Sequence, residues 1–157
     1  MFVIIDGSSV LSTAFYATLP AIFYRAKSPK ARSNVLSQVA KTLSGEIANG
    51  VLGMTRILFN LVEKVQPEYL AVAWDVDREE TFRKKLYPGY KSKRAFTLPE
   101  LRSQFGLMQR LLSELGIAQY RVEGYEADDV IATLAKKFED QVPVKIYSKD
   151  QDLLQLV

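Results

Sequence analysis

The 157 residues contain no cysteine and no histidine. That double absence rules out disulfides, removes the usual zinc ligand sets, and leaves no Ser-His or Cys-His nucleophile system. Acid–base chemistry therefore falls to carboxylates, lysine, tyrosine or metal-bound water. Long apolar runs are missing too. None approaches the ~20 residues of a membrane span, and Met1 leads straight into a strand-like segment carrying Asp6, unlike a secretory signal. The expectation is a cytoplasmic protein with no membrane partner. Negative charge is absent from one stretch: no acid lies between Asp6 and Glu46, while Arg25, Lys27, Lys30, Arg32 and Lys41 are all basic. No repeat, low-complexity tract or linker divides the chain, so residues 1–157 read as one domain.

What is present suits a packed core: 48% of residues are hydrophobic and 25% charged, which indicates neither disorder nor a membrane protein. The net charge of +3 is modest, but its distribution is uneven. A second basic cluster comprises Arg78, Arg83, Lys84, Lys85, Lys91, Lys93 and Arg94, opposed by Glu79 and Glu80. Four short apolar runs, at residues 2–5, 69–74, 117–122 and 142–147, predict buried strands. Residues 10–19, 48–65 and 98–115 carry the apolar spacing of helices. Within the basic stretch 21–44 a helix is expected over about 34–43, and the stretch reads equally as a mobile insertion or a substrate-contacting element. Strands alternating with helices predict a doubly wound α/β fold whose ligands bind beyond the carboxyl ends of a parallel sheet.

The acids lie where such a site would be. Glu126, Asp128 and Asp129 open a helix whose apolar side is Val130, Ile131, Leu134 and Phe138. One or two acids at a helix N-terminus are ordinary caps, worth ~0.3–1 kcal/mol each. Three within four residues repel unless a cation or shared proton compensates. Every expected strand is followed by acids: Asp6, Asp75, the Glu126 group, and Asp150 with Asp152. Such a gathering calls for hard divalent cations, magnesium or manganese, and a pair of these suits phosphodiester hydrolysis. The second basic cluster, with Tyr87, Tyr90 and Phe96 interleaved, offers phosphate contacts and stacking surfaces. A solvated basic loop with inward-packed aromatics is the alternative.

Six blocks, taken in order, then resemble a known family. They are Ile-Asp-Gly-Ser-Ser at 5–9, Ala-Trp-Asp at 73–75, Thr-Phe-Arg at 81–83, Gly-Tyr-Lys at 89–91 with Arg94, Glu-Gly-Tyr-Glu-Ala-Asp-Asp-Val-Ile-Ala-Thr-Leu-Ala at 123–135, and Ser-Lys-Asp-Gln-Asp-Leu-Leu-Gln-Leu at 148–156. Together they closely resemble the 5′-to-3′ exonuclease domain of bacterial DNA polymerase I and related flap endonucleases. The resemblance implies a PIN-like three-layer α/β fold, with a central, mainly parallel sheet flanked by helices and a basic helical arch at about 78–98. It also implies a two-metal nuclease using Mg2+ or Mn2+, acting on DNA with a 5′ flap or 5′ end and sometimes on RNA in RNA–DNA hybrids. Carried over by position, Asp6, Asp75, Glu126, Asp128, Asp150 and Asp152 are metal ligands, with Asp129 beside them. Lys91 and Arg94 engage the scissile phosphate, Arg83 assists, and Tyr90 stacks near the cleaved nucleotide. Lys84, Lys85 and Lys93 contact DNA.

The sequence departs from that family in three places. The connection over 20–45 is longer than usual, and Gln151 stands where relatives carry a basic residue. At Val157 the chain stops before the family's further aspartates and its helix-hairpin-helix element. The expectation is one metal position well formed, a second incomplete, weak activity for the isolated chain, and exposed Leu153, Leu156 and Val157 as a possible dimer surface. A C-terminal nuclease segment or a polymerase domain is the expected partner in the parent protein. Three rivals stand beside this reading. One is a haloacid-dehalogenase-type phosphatase using Asp75-Val-Asp77, although Glu79 spoils that motif; another is a small PIN-type ribonuclease; the third is a non-catalytic DNA-binding or assembly subunit that kept the fold.

Overall fold

Successive strand residues point to opposite faces, so a strand apolar at every position needs cover on both sides. Residues 2–5 form such a strand. In the computed structural model, which describes residues 1–77, 80–91 and 97–156, β1 (Phe2–Asp6) is buried throughout. It lies inside a parallel sheet with β2 (Tyr69–Ala73), β3 (Ala118–Tyr120) and β4 (Val144–Tyr147), in the order β3-β2-β1-β4. Val3 and Ile5 face one core, packed by α1 (Gly7–Ala17), α2 (Ala21–Arg25), α3 (Pro29–Leu36), α4 (Asn49–Val65) and α6 (Pro99–Glu114). Phe2 and Ile4 face the other, formed with α7 (Ala127–Phe138) and Leu153. The result is the expected three layers. A short helix, α5 (Phe82–Leu86), lies in the basic connection between β2 and α6.

Two close approaches hold the upper layer on the sheet. A Cβ on Gly7 would stand 2.6 Å from a Val72 methyl and 2.8 Å from the Trp74 ring, so only glycine lets α1 leave β1 this close to β2. The start of α4 has no cap of its own at Ala48. Gln104 of α6, fully buried, accepts there from Gly50 N at 2.8 Å and Val51 N at 3.1 Å. Its amide nitrogen donates to Asn49 Oδ1 at 3.1 Å, and Asn49 donates in turn to Phe15 O at 3.0 Å.

Several expectations need correction. The helix expected over 34–43 starts earlier and ends at Leu36, because Ser28 caps it by accepting from Ala31 N and Pro29 takes the first helical position. The stretch 21–44 is a packed element, since Phe23, Val35 and Leu36 are buried in the upper core while Arg25, Lys27, Lys30 and Arg32 are exposed. The third strand is half its expected length, three residues at the sheet edge. Leu153, expected to be exposed, is buried at 5% and closes the lower core from a 3-10 helix over Gln151–Leu156. Leu154 and Leu156 are exposed, and Val157 lies outside the described residues. Among the described residues no helix is long and apolar enough to cross a membrane.

Candidate metal centre

The chain runs β1, β2, β3 outward to one side and then returns to place β4 on the other side of β1, so the sheet reverses its order between β1 and β4. Crevices open at such points beyond the strand ends. Here a cavity of about 780 Å³ is lined by Asp6, Asp75, Asp77, Glu126, Asp128 and Asp150, together with Lys91, Arg102 and Arg121. These six acids come from four separate strand exits.

Short hydrogen bonds fix the exits to one another. Asp6 caps α1 by accepting from Ser9 N at 3.0 Å, and its other oxygen accepts from the Ser148 hydroxyl at 2.7 Å. The Ser148 hydroxyl also accepts from Asp150 N at 2.9 Å, joining β1 to β4. Asp75 N donates to Ser8 Oγ at 2.9 Å, and Asp75 Oδ1 accepts from Ala127 N at 2.8 Å, the first amide of α7. An anion at an open helix N-terminus is favoured by the unpaired amides there. Sequence reading took Ser148 only as part of a motif and Asp77 only as part of the rival phosphatase motif. The hydroxyl two residues before Asp150 was its one visible signal.

The basic connection docks on the start of α7. Lys91 Nζ lies 2.8 Å from Glu126 Oε1, the Tyr90 hydroxyl donates to Glu126 Oε2 at 3.0 Å, and Arg83 stands 3.5 Å from the same oxygen. Arg83 pairs through both terminal nitrogens with Asp129, at 2.6 and 2.7 Å, and Asp129 also accepts from Glu126 N at 3.1 Å. Asp129, expected beside the metal ligands, is the anchor of Arg83 and lies outside the cavity lining, its oxygens engaged by a guanidinium fork. Asp152 is exposed and also outside the lining; its amide donates to Asp150 Oδ1 at 3.0 Å. Lys84 donates to Pro88 O at 2.7 Å, and Lys85 borders a neighbouring cavity of about 470 Å³ with Glu80, Arg121 and Glu123. The Lys91 ammonium rests 5.1 Å from the Tyr90 ring centre. Arg78, Lys93, Arg94 and Phe96 lie outside the described residues.

Charge is unevenly matched around the cavity. Lys91 and Arg83 face Glu126 and Asp129, Arg102 stands 3.9 Å from Asp77, and Arg121 stands 3.5 Å from Glu80. Asp6, Asp75, Asp128 and Asp150 have no ion pair among the described residues. Burial, reinforced by the charges of Asp6, Asp150 and Asp75, pushes the Asp128 carboxyl up to about 6. Asp6 is raised by burial first and by Asp75 and Asp150 next, against hydrogen bonds from Ser9 and Ser148. Asp129 is held below the usual carboxylate range by Arg83. The donor set is all carboxylate with unmatched negative charge, which fits a hard divalent cation. As placed, no three of the described acids stand close enough to grip one ion.

Comparison with known proteins follows the same lines. The family described as 5′-3′ exonuclease, N-terminal resolvase-like domain, matches residues 1–157. The chain belongs to this family. It is 38% identical over 155 residues to a 5′-3′ exonuclease of Aquifex aeolicus, covering 98% of this chain and 47% of the relative. It is 37% identical over 158 residues to DNA polymerase I of Mycobacterium leprae, covering 100% of this chain and 15% of that protein. The family member thus spans less than half the length of either relative. Among solved structures, a bacteriophage T5 protein co-crystallised with metal ions superposes with a TM-score of 0.61 at 21% identity, covering 99% of this chain and 51% of that one. The T5 5′-exonuclease with bound zinc gives a TM-score of 0.59 at 19% identity, with the same coverage of 99% and 51%. These two share the fold.

Proposed function

We propose that this exonuclease-family chain carries the metal-binding half of a 5′-to-3′ exonuclease or 5′-flap endonuclease that hydrolyses DNA phosphodiesters. One observation carries the reading: Asp6, Asp75, Asp128 and Asp150 meet from four strand exits at one cavity, without an ion pair among the described residues and with Lys91 in the same wall. The family relatives, which are a 5′-3′ exonuclease and DNA polymerases, support the same class of reaction. Asp6, Asp75, Asp128 and Asp150 would hold Mg2+ or Mn2+, with Glu126 once it leaves Lys91, and a second ion would draw on ligands beyond these residues. Such ions supply charge neutralisation and water activation when bound.

The chain's own groups do the positioning. Ser8 and Ser148 hold Asp75 and the Asp6–Asp150 pair in place, and the start of α7 holds the Asp75 carboxylate by donating from Ala127 N. Lys91 lines the cavity where an entering phosphate meets positive charge, Arg83 stands beside Glu126, and Tyr90 presents a ring next to Lys91 for a base. A 5′ flap or 5′ end of DNA, or RNA paired with DNA, would bring its phosphate into this cavity. Cleavage of a 5′-flap duplex in Mn2+ by the full-length protein tests the reading. Asp128→Ala is expected to lower turnover by ~10²-fold or more, since it removes a carboxylate that the transition state needs for its cations. Undiminished cleavage by Asp128→Ala would remove the metal-centre assignment.

A further inference from the structure

We infer that the base of the basic connection is a cation-exchange latch: Lys91 and a divalent ion compete for Glu126, and the arriving ion releases residues 82–91 from α7. The inference rests on the metal-dependent reading of the cavity. Glu126 is only 8% exposed, and both of its oxygens are already engaged, by Lys91 at 2.8 Å on one side and by Tyr90 at 3.0 Å and Arg83 at 3.5 Å on the other. A carboxylate can ligate a hard ion only with lone pairs turned toward it. Glu126 therefore joins the ligand set by exchanging one cation for another.

Two features make the Lys91 contact the part that gives way. Lys91 holds a left-handed backbone, with φ of +50°, a conformation disfavoured for a residue with a Cβ. Such conformations persist where surrounding contacts impose them, and the ammonium's contacts with Glu126 and the Tyr90 ring are among these. Arg83, by contrast, is fastened to Asp129 by two short hydrogen bonds, and Asp129 is fastened to the Glu126 amide. The anchor at Asp129 stays while the clamp at Glu126 exchanges. A divalent ion drawn to Asp6, Asp75, Asp128 and Asp150 in the same cavity repels the ammonium beside it. Release lets the Lys91 backbone relax and parts its ammonium from Glu126 at the cavity wall, so an entering phosphate takes the carboxylate's place as its partner only when the ions are in place. Because coupling is reciprocal, weakening the latch must raise ion affinity by the factor by which the ion weakens the latch.

The experiment uses the full-length protein with Ca2+, calorimetry for ion binding, and hydrogen exchange for residues 82–91. Saturating Ca2+ is expected to speed amide exchange in 82–91 at least fivefold in the wild type. Lys91→Met is expected to bind Ca2+ at least fivefold more tightly and to exchange quickly at 82–91 with or without the ion. Tyr90→Phe, which keeps the ammonium and loses one donor, is expected to shift both readouts the same way by about twofold or more, and it serves if Lys91→Met fails to fold. Calcium binding with unchanged or slower exchange at 82–91, or unaltered affinity in the variants, would overturn the latch and leave the metal centre standing. No detectable ion binding to the wild type would overturn the metal centre itself.

Discussion

Asp128 shows how a single carboxylate reports on its surroundings. Its carboxyl is pushed up to about 6 from an ordinary 3.8, chiefly by burial and then by Asp6, Asp150 and Asp75. The folded protein therefore keeps this proton to a higher pH than the unfolded chain does. Its contribution favours folding below about pH 4 and is lost as pH rises through 6. Asp6, raised for the same reasons, acts in the same direction. Asp129 acts in a separate window: Arg83 holds it low, so its stabilisation is present above about pH 4 and falls away only on further acidification. The metal-free protein should therefore melt at a lower temperature at pH 7.5 than at pH 5, and Asp128→Asn should flatten that slope. Scanning calorimetry across the range checks this. A melting temperature that climbs from pH 5 to pH 7.5 would show that burial and repulsion at Asp128 are not felt.

At the scale of elements, the joint between α4 and α6 depends on one amide side chain. Gln104 supplies two acceptor contacts to the first turn of α4 and a donor to Asn49, all in a site closed to water. A leucine there fills the volume but leaves two buried amides and the Asn49 oxygen without partners. Each such loss costs ~1–3 kcal/mol when no water can enter, so Gln104→Leu should destabilise the fold by about 3 kcal/mol or more. Urea melts should show a lower midpoint with an unchanged slope. A loss under 0.5 kcal/mol would mean that α4 starts without help from α6.

At the scale of the whole molecule, four strand exits become one cavity only when the sheet is assembled, so ion binding and global stability are linked. Asp6 and Ser148, in direct contact, are 142 residues apart in the chain. An ion at 100 times its dissociation constant adds ~2.7 kcal/mol, which for a chain of this size raises the melting temperature by about 5–10 °C. Asp6→Asn, Asp75→Asn and Asp150→Asn should each reduce the Mn2+-dependent rise, although they lie on different strands. If the rise survived all three substitutions intact, the cavity would not be where the ion binds.

Much of this protein was legible in its amino-acid order. The four strands are short apolar runs, the helices show their periodicity, and parallel βα alternation alone sends Asp6, Asp75, Asp128 and Asp150 to one edge, because in such sheets every strand exits on the same side. The same reasoning placed Glu126 and Asp129 at a helix's start, where Glu126 is the N-cap and Asp129 lies in the first turn. Local pattern could not tell which acid faces the cavity and which faces a cation, since a helix turns ~100° per residue and neighbours in sequence point apart. Only the assembled structure gave Asp129 to Arg83, engaged Glu126 with Lys91 and Tyr90, and left Asp128 facing Asp6, Asp75 and Asp150. The cap that Gln104 provides for α4 and the burial of Phe23, Val35, Leu36 and Leu153 were likewise decided by tertiary packing, whose partners lie too far along the chain for any local signal to name them.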